Sequence, residues 1–233
     1  MKVEIWSDYM CPFCYIGKRR FEEALDQFPH KDKVEVIYRS FELDPEAARD
    51  VDYDVHTMLS KKYNMSVQQA KSMNDNITEQ AKSVGLTYHF DTMVLSNSFD
   101  AHRLTHFAAQ NGKMREMNEA LFRAVFTDSK HIGNHDVLSD LAVGVGLDRE
   151  AVLEMLASEQ YAQDARFDEQ LAGRLGIRAV PFFVLNEKYG ISGAQPTEAF
   201  AEQLLKAWNE AATQEGVAGS STGDSCSDGA CSI

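Results

Sequence analysis

The sequence predicts an α/β protein in which a small sheet is interrupted by an inserted all-helical domain. Three observations predict it. Lys2-Val-Glu-Ile-Trp6 alternates like a half-buried strand, residues 15–28 repeat apolar side chains at helical spacing, and Val34 to Phe41 is β-rich again. That is a strand, helix, strand unit, whose two strands should be parallel with a right-handed crossover. From about residue 46 to 160 the patterning is helical, with no convincing strand. Beyond it, Ala179 to Leu185 and Tyr189 to Gly193 flank an Asn186-Glu-Lys188 turn and read as an antiparallel hairpin.

The first helix places Ile16, Phe21, Leu25 and Phe28 on one face, and Pro29 with the charged Lys31-Asp-Lys33 turns the chain out of it. Leu43-Asp-Pro45 ends the second strand. In the insertion, Ser66-Val-Gln-Gln69 has the form of a capping box, and Val67, Ala70, Met73, Ile77, Ala81 and Val84 run along one face to Gly85. Asn97 can cap the next helix, with Ala101, Leu104, Phe107 and Ala108 inward and Gly112 as its stop. Met114, Met117, Leu121, Ala124 and Val125 mark another, Val137 to Val145 a short one, and Asp148 caps a further helix carrying Val152, Leu153 and Leu156. Residues 161–175 form a helix closed by Gly176, and Pro196 to about Ala212 a last one with Phe200, Leu204, Leu205 and Trp208 inward. The expected organisation is a sheet domain of residues 1–45 and 161–213, a helical insertion of 46–160, and a tail of 214–233. The tail is rich in Gly, Ser, Thr and Asp and is expected to be flexible.

The chain has 233 residues, of which 44% are hydrophobic and 25% charged, the balance of a soluble globular protein with a core of its own. A formal net charge of −13 argues against nucleic acid or an anionic membrane as the main partner, because both select clustered Lys and Arg. The start lacks the charged and apolar regions of a signal peptide, and no apolar run reaches membrane-spanning length, so a cytoplasmic location is expected. Four cysteines are too few for a disulfide scaffold in a chain of this length.

Cys11-Pro12-Phe13-Cys14 lies where the first strand ends and the first helix begins. First-turn amides there have no intrahelical partner, and the helix dipole favours negative charge, so a thiolate at Cys11 is favoured. Cys14 is one turn on, in reach to close a disulfide with Cys11 or to attack a mixed disulfide formed on it. Pro12 suits the first turn, where its missing N–H costs nothing. The junction should leave at least one of these cysteines exposed. Two other readings compete: a pair of inert buried cysteines, and half of a structural zinc site completed by Cys226 and Cys231. Cys226-Ser-Asp-Gly-Ala-Cys231 sits in the tail, where packing does not explain two thiols, and suggests a second redox pair that exchanges with Cys11 and Cys14. Pro181, at the head of a buried strand, is either a strand-start proline or part of a cis Val180–Pro181 bond; composition does not choose.

Asp8-Tyr9-Met10-Cys11-Pro12-Phe13-Cys14, the helical insertion, and Gly176-Ile-Arg-Ala-Val-Pro181-Phe-Phe together resemble the thioredoxin-fold thiol:disulfide oxidoreductases of the DsbA family, in its FrnE-like branch, over residues 1 to about 212. The resemblance implies a thioredoxin fold with an inserted helical domain, Cys11 as nucleophile and Cys14 as resolving thiol. It also implies a cis Val180–Pro181 bond facing the cysteines, with Val180, Pro181, Pro12 and Phe13 positioning an extended substrate. Its partners would be protein thiols and disulfides, with no required cofactor, no metal, and glutathione or another thiol system as redox partner. Redox direction, client proteins and oligomeric state are left open. Asn97, Ser98, Asp100 and His102 resemble a helix start that faces the active site in related proteins, although Asn97 is equally a cap and His102 a partly exposed helix residue. Phe13 stands where the DsbA type usually has histidine, and offers no donor or charge to a neighbouring thiolate. Kappa-class glutathione transferases and 2-hydroxychromene-2-carboxylate isomerases resemble the chain outside the motif, but typically carry serine in place of Cys11 and lack the second cysteine.

Overall fold

The computed structural model describes residues 1–218; Cys226 and Cys231 lie outside the described residues, as does the tail from 219 onward. Among the described residues the strands β1 (Lys2–Ser7), β2 (Glu35–Ser40), β3 (Phe182–Leu185) and β4 (Tyr189–Ser192) form one sheet in the order β2-β1-β3-β4. β1 runs parallel to β2, with Ile5 opposite Tyr38, and antiparallel to β3, with Ile5 opposite Phe183. The strand period of two divides β1 between two layers. Val3 and Ile5 pack with Phe183 and Leu185 against the crossover helix α1 (Pro12–Asp26) and the C-terminal helix. Trp6 and Val184 face the opposite side, against Ala172 and Ile177.

The insertion between β2 and β3 supplies α2 (Val55–Tyr63), α3 (Val67–Lys82), α4 (Phe99–Gln110), α5 (Met114–Phe126), α6 (His135–Gly144) and α7 (Arg149–Leu156), followed by α8 (Ala162–Arg174) on the Trp6 side of the sheet. α8 is pinned by Asp168, whose backbone oxygen accepts from Trp6 Nε1 at 3.0 Å and whose carboxylate accepts from the Ser40 amide at 3.0 Å. The insertion's buried core of Leu104, Leu121, Phe122 and Phe126 is continuous with Tyr9, Cys11, Cys14 and Tyr15. The cysteine turn is therefore walled by side chains far away in sequence.

Element boundaries shift for local reasons. α1 begins at Pro12, in the first turn where the sequence places it, with Cys11 as N-cap, and ends at Asp26, two residues before Phe28. The Ser66–Gln69 capping box is complete. α4 has Ser98 as N-cap, not Asn97; the Asn97 carboxamide oxygen instead accepts from the Phe99 amide at 2.8 Å, an Asx turn one residue earlier. β3 begins at Phe182, since Pro181 has no N–H for the ladder. The C-terminal helix α9 (Thr197–Ala218) continues past residue 212 into the stretch expected to be flexible from 214. Among the described residues no helix is long and apolar enough to cross a membrane.

Candidate active site

Cys11 leaves β1 in an extended conformation (φ −96°, ψ 112°), its amide donating to Asp8 O at 3.0 Å, and Cys14 N closes the first turn on Cys11 O at 3.0 Å. Tyr88, from the segment after α3, donates its hydroxyl to Pro12 O at 2.8 Å and so ties that turn to the insertion. The Cys11 thiol donates to Val180 O at 3.6 Å, the Val180–Pro181 bond is cis, and Pro181 O accepts from Gly193 N at 2.8 Å. The structure thus brings Cys11, Cys14, Pro12, Val180 and Pro181 together, and leaves Phe13 on the outer face at 37% exposure.

Both cysteines are free thiols and both are buried, at 5% and 2% exposure, against the expectation that one would be open. The cover comes from Val180, Tyr88 and the insertion core, none of which is visible in the local sequence. Burial pushes the Cys14 thiol well above its ordinary value, and the neighbouring Cys11 sulfur pushes it the same way. Cys14 therefore keeps its proton at neutral pH until a reaction removes it.

At the turn into α1 lies Asp8, 2% exposed, whose carboxylate accepts from Met10 N at 3.1 Å and Leu43 N at 2.7 Å, with His102 Nε2 3.8 Å away. Burial pushes this carboxyl up, but His102 and the two amides outweigh burial and hold it below the ordinary value. His102 is not partly exposed, as its sequence suggests, but 2% exposed, because its ring lies on Tyr9 at 4.8 Å. Asp100, from the same segment, pairs instead with Arg49, Arg103 and His135. Asn97 donates to Glu42 at 3.0 Å. Of that segment, His102 is the residue brought up to Asp8.

Sequence reasoning gave no role to Gly17, one turn beyond Cys14. A Cβ there would lie 2.9 Å from Pro181 Cγ and 3.4 Å from Ala194. The signal was a glycine inside an otherwise regular helix, where it is a poor choice without a packing reason. On its other side α1 is held to α5 by Lys18, 2% exposed, which pairs with Glu22 at 2.9 Å and Glu119 at 2.6 Å.

Glu42, just past β2, is pushed up to about 7 by burial and by the neighbouring Glu169, against the pull of Arg166. The folded chain then holds a proton there that the unfolded chain releases near the ordinary 4.5. That stabilisation is complete below 4.5 and is lost as pH rises through about 7. The thermal midpoint should fall over this window by a component that Glu42→Gln removes, read from melting curves of both proteins at half-unit steps of pH. Among the described residues no group of three or more His, Cys, Asp or Glu side chains is arranged to hold a metal ion.

The DSBA-like thioredoxin domain family matches residues 2–205 of this chain. An uncharacterized protein of Bacillus subtilis strain 168, YwbO, is 32% identical over 204 residues, covering 87% of this chain and 94% of its own. A crystal structure from Streptomyces coelicolor, described as a probable DsbA oxidoreductase, superposes with a TM-score of 0.87 at 48% identity, covering 90% of this chain and 91% of that one. A 2-hydroxychromene-2-carboxylate isomerase shares the fold, with a TM-score of 0.68 at 15% identity over 93% of this chain and 98% of its own. Because the family match runs from the first strand into the last helix and takes in the cysteine turn, the proline loop and the insertion between them, the chain belongs to the DSBA-like thioredoxin domain family.

Proposed function

We propose that the protein exchanges thiols and disulfides with protein substrates, Cys11 attacking and Cys14 resolving. The observation that carries this is the pairing of a Cys-x-x-Cys dithiol on the cap and first turn of α1 with a backbone carbonyl, Val180 O, 3.6 Å from the Cys11 sulfur. The Cys11 thiolate attacks one sulfur of a substrate disulfide, the substrate's other sulfur leaves as a thiolate, and a mixed disulfide forms. Cys14 then gives up its proton and attacks the Cys11 sulfur, which releases the reduced substrate and leaves a Cys11–Cys14 disulfide; the reverse sequence oxidises a substrate dithiol. Val180 and Pro181, with Pro12 and Phe13 at the rim, hold the substrate chain in extended form. No prosthetic group takes part, and electrons pass to or from glutathione or another thiol system.

A redox titration in glutathione buffers, with thiols trapped by alkylation and counted by mass spectrometry, tests this. Reversible two-electron oxidation joining Cys11 to Cys14 supports the reading. Thiols that resist oxidation, with zinc copurifying near one per chain, overturn it in favour of a zinc-binding role. Cys226 and Cys231 are proposed to exchange with this pair; a Cys226→Ser/Cys231→Ser protein with unchanged turnover and midpoint removes that part. The fold shared with the isomerase makes a glutathione-dependent transferase or isomerase the second reading. The second thiol at Cys14 favours disulfide exchange over it.

A further inference from the structure

We infer that Gly17 sets which disulfides the site accepts: its missing side chain lets the Pro181 loop close on α1 at the spacing a polypeptide substrate needs and a small disulfide does not. The inference rests on the disulfide-exchange reading above. Cys14, Gly17 and Arg20 follow one another at successive turns of α1 from its N-cap Cys11. Three of these residues meet the proline loop and the end of the hairpin. Cys11 reaches Val180 O at 3.6 Å, Gly17 underlies Pro181 and Ala194, and Arg20 donates to Ala194 O. From the other side Gly193 N holds Pro181 O at 2.8 Å. The loop is thus clasped between helix and hairpin, with its closest approach at Gly17.

Space, not backbone conformation, is what calls for glycine here. Gly17 sits inside a regular helix without a positive φ, so alanine would be the better helix former if nothing lay above it. What lies above it is the Pro181 ring, 2.9 Å from the position of a Cβ. A pyrrolidine ring is closed onto its own backbone nitrogen, so its Cγ yields by a change of pucker and not by a rotamer swing. Alanine at 17 therefore presses on the ring from below and on Ala194 beside it, and shifts the loop outward. An extended polypeptide needs that backbone in register with the Cys11 sulfur, and a misplacement of about 1 Å costs on the order of a hundredfold. A small disulfide needs only access to Cys11.

The test is Gly17→Ala in the full chain, assayed on the disulfides of insulin and, separately, on bis(2-hydroxyethyl) disulfide, which carries no peptide backbone. Expected is a loss of about ten- to a hundredfold in kcat/KM on insulin, against less than about twofold on the small disulfide, in a folded protein whose thermal midpoint falls because the site is overpacked. Equal losses on both disulfides, or no loss on insulin, would overturn the inference. A wild-type protein that reacts with neither disulfide sinks the exchange reading itself, a result distinct from both.

Discussion

Cys11→Ser will lower protein disulfide exchange by about a thousandfold or more, while Cys14→Ser will stall the reaction part-way and accumulate a covalent adduct with substrate. A serine hydroxyl is not ionised near neutral pH and forms no S–S bond, so nothing replaces the first attack. With Cys11 intact and Cys14 gone, the first attack proceeds and the mixed disulfide has no internal thiol to break it. A non-reducing gel with a disulfide-bonded client should show the adduct for Cys14→Ser and none for Cys11→Ser. The reverse pattern would exchange the two roles. Burial, the largest cause, pushes the Cys14 thiol up and still acts when the Cys11 sulfur is bonded to substrate, so at neutral pH a small fraction of Cys14 is ready to attack. Resolution of the wild-type mixed disulfide should therefore speed up as pH rises above neutral, by up to about tenfold per unit while Cys14 remains mostly protonated. A flat profile from pH 7 to 9 would mean that another step limits turnover.

What was legible in the sequence is what depends on neighbours in sequence. β1, α1 and β2 follow from alternation and helical spacing, the α3 start from its capping box, and the dithiol from residue type at a strand-to-helix junction. What stayed hidden depends on residues that only folding brings together. The burial of both cysteines comes from Val180 and Tyr88, and that of His102 from the ring of Tyr9, more than ninety positions away. Gly17 has a reason only once Pro181 is placed over it. Composition also could not choose the isomer of the Val180–Pro181 bond, which the fold holds cis.

Asp8→Ala will destabilise the fold by about 2–6 kcal/mol, since each partly buried amide left without an acceptor costs about 1–3 kcal/mol and two depend on this carboxylate. Those amides belong to Met10, next to Cys11, and to Leu43, past the end of β2, so Asp8 joins the cysteine turn to the neighbouring strand. Loosening that joint should also lower exchange activity, because Cys11 N is held by the Asp8 backbone in the same turn. Asp8→Asn separates shape from charge, since it keeps an oxygen for one amide and loses the charge facing His102. The carboxyl lies below its ordinary value of 3.8 in the folded chain. Its charge-dependent stabilisation is therefore present above that value and is lost as pH falls through the folded value, opposite in sign to the contribution of Glu42. Urea unfolding of wild type and Asp8→Asn at pH 7, 5 and 3 reads this directly: the gap between them should hold from 7 to 5 and narrow by 3. A gap that stays constant to pH 3 would show that hydrogen-bond geometry, rather than the buried charge, is what Asp8 contributes to the turn that carries Cys11.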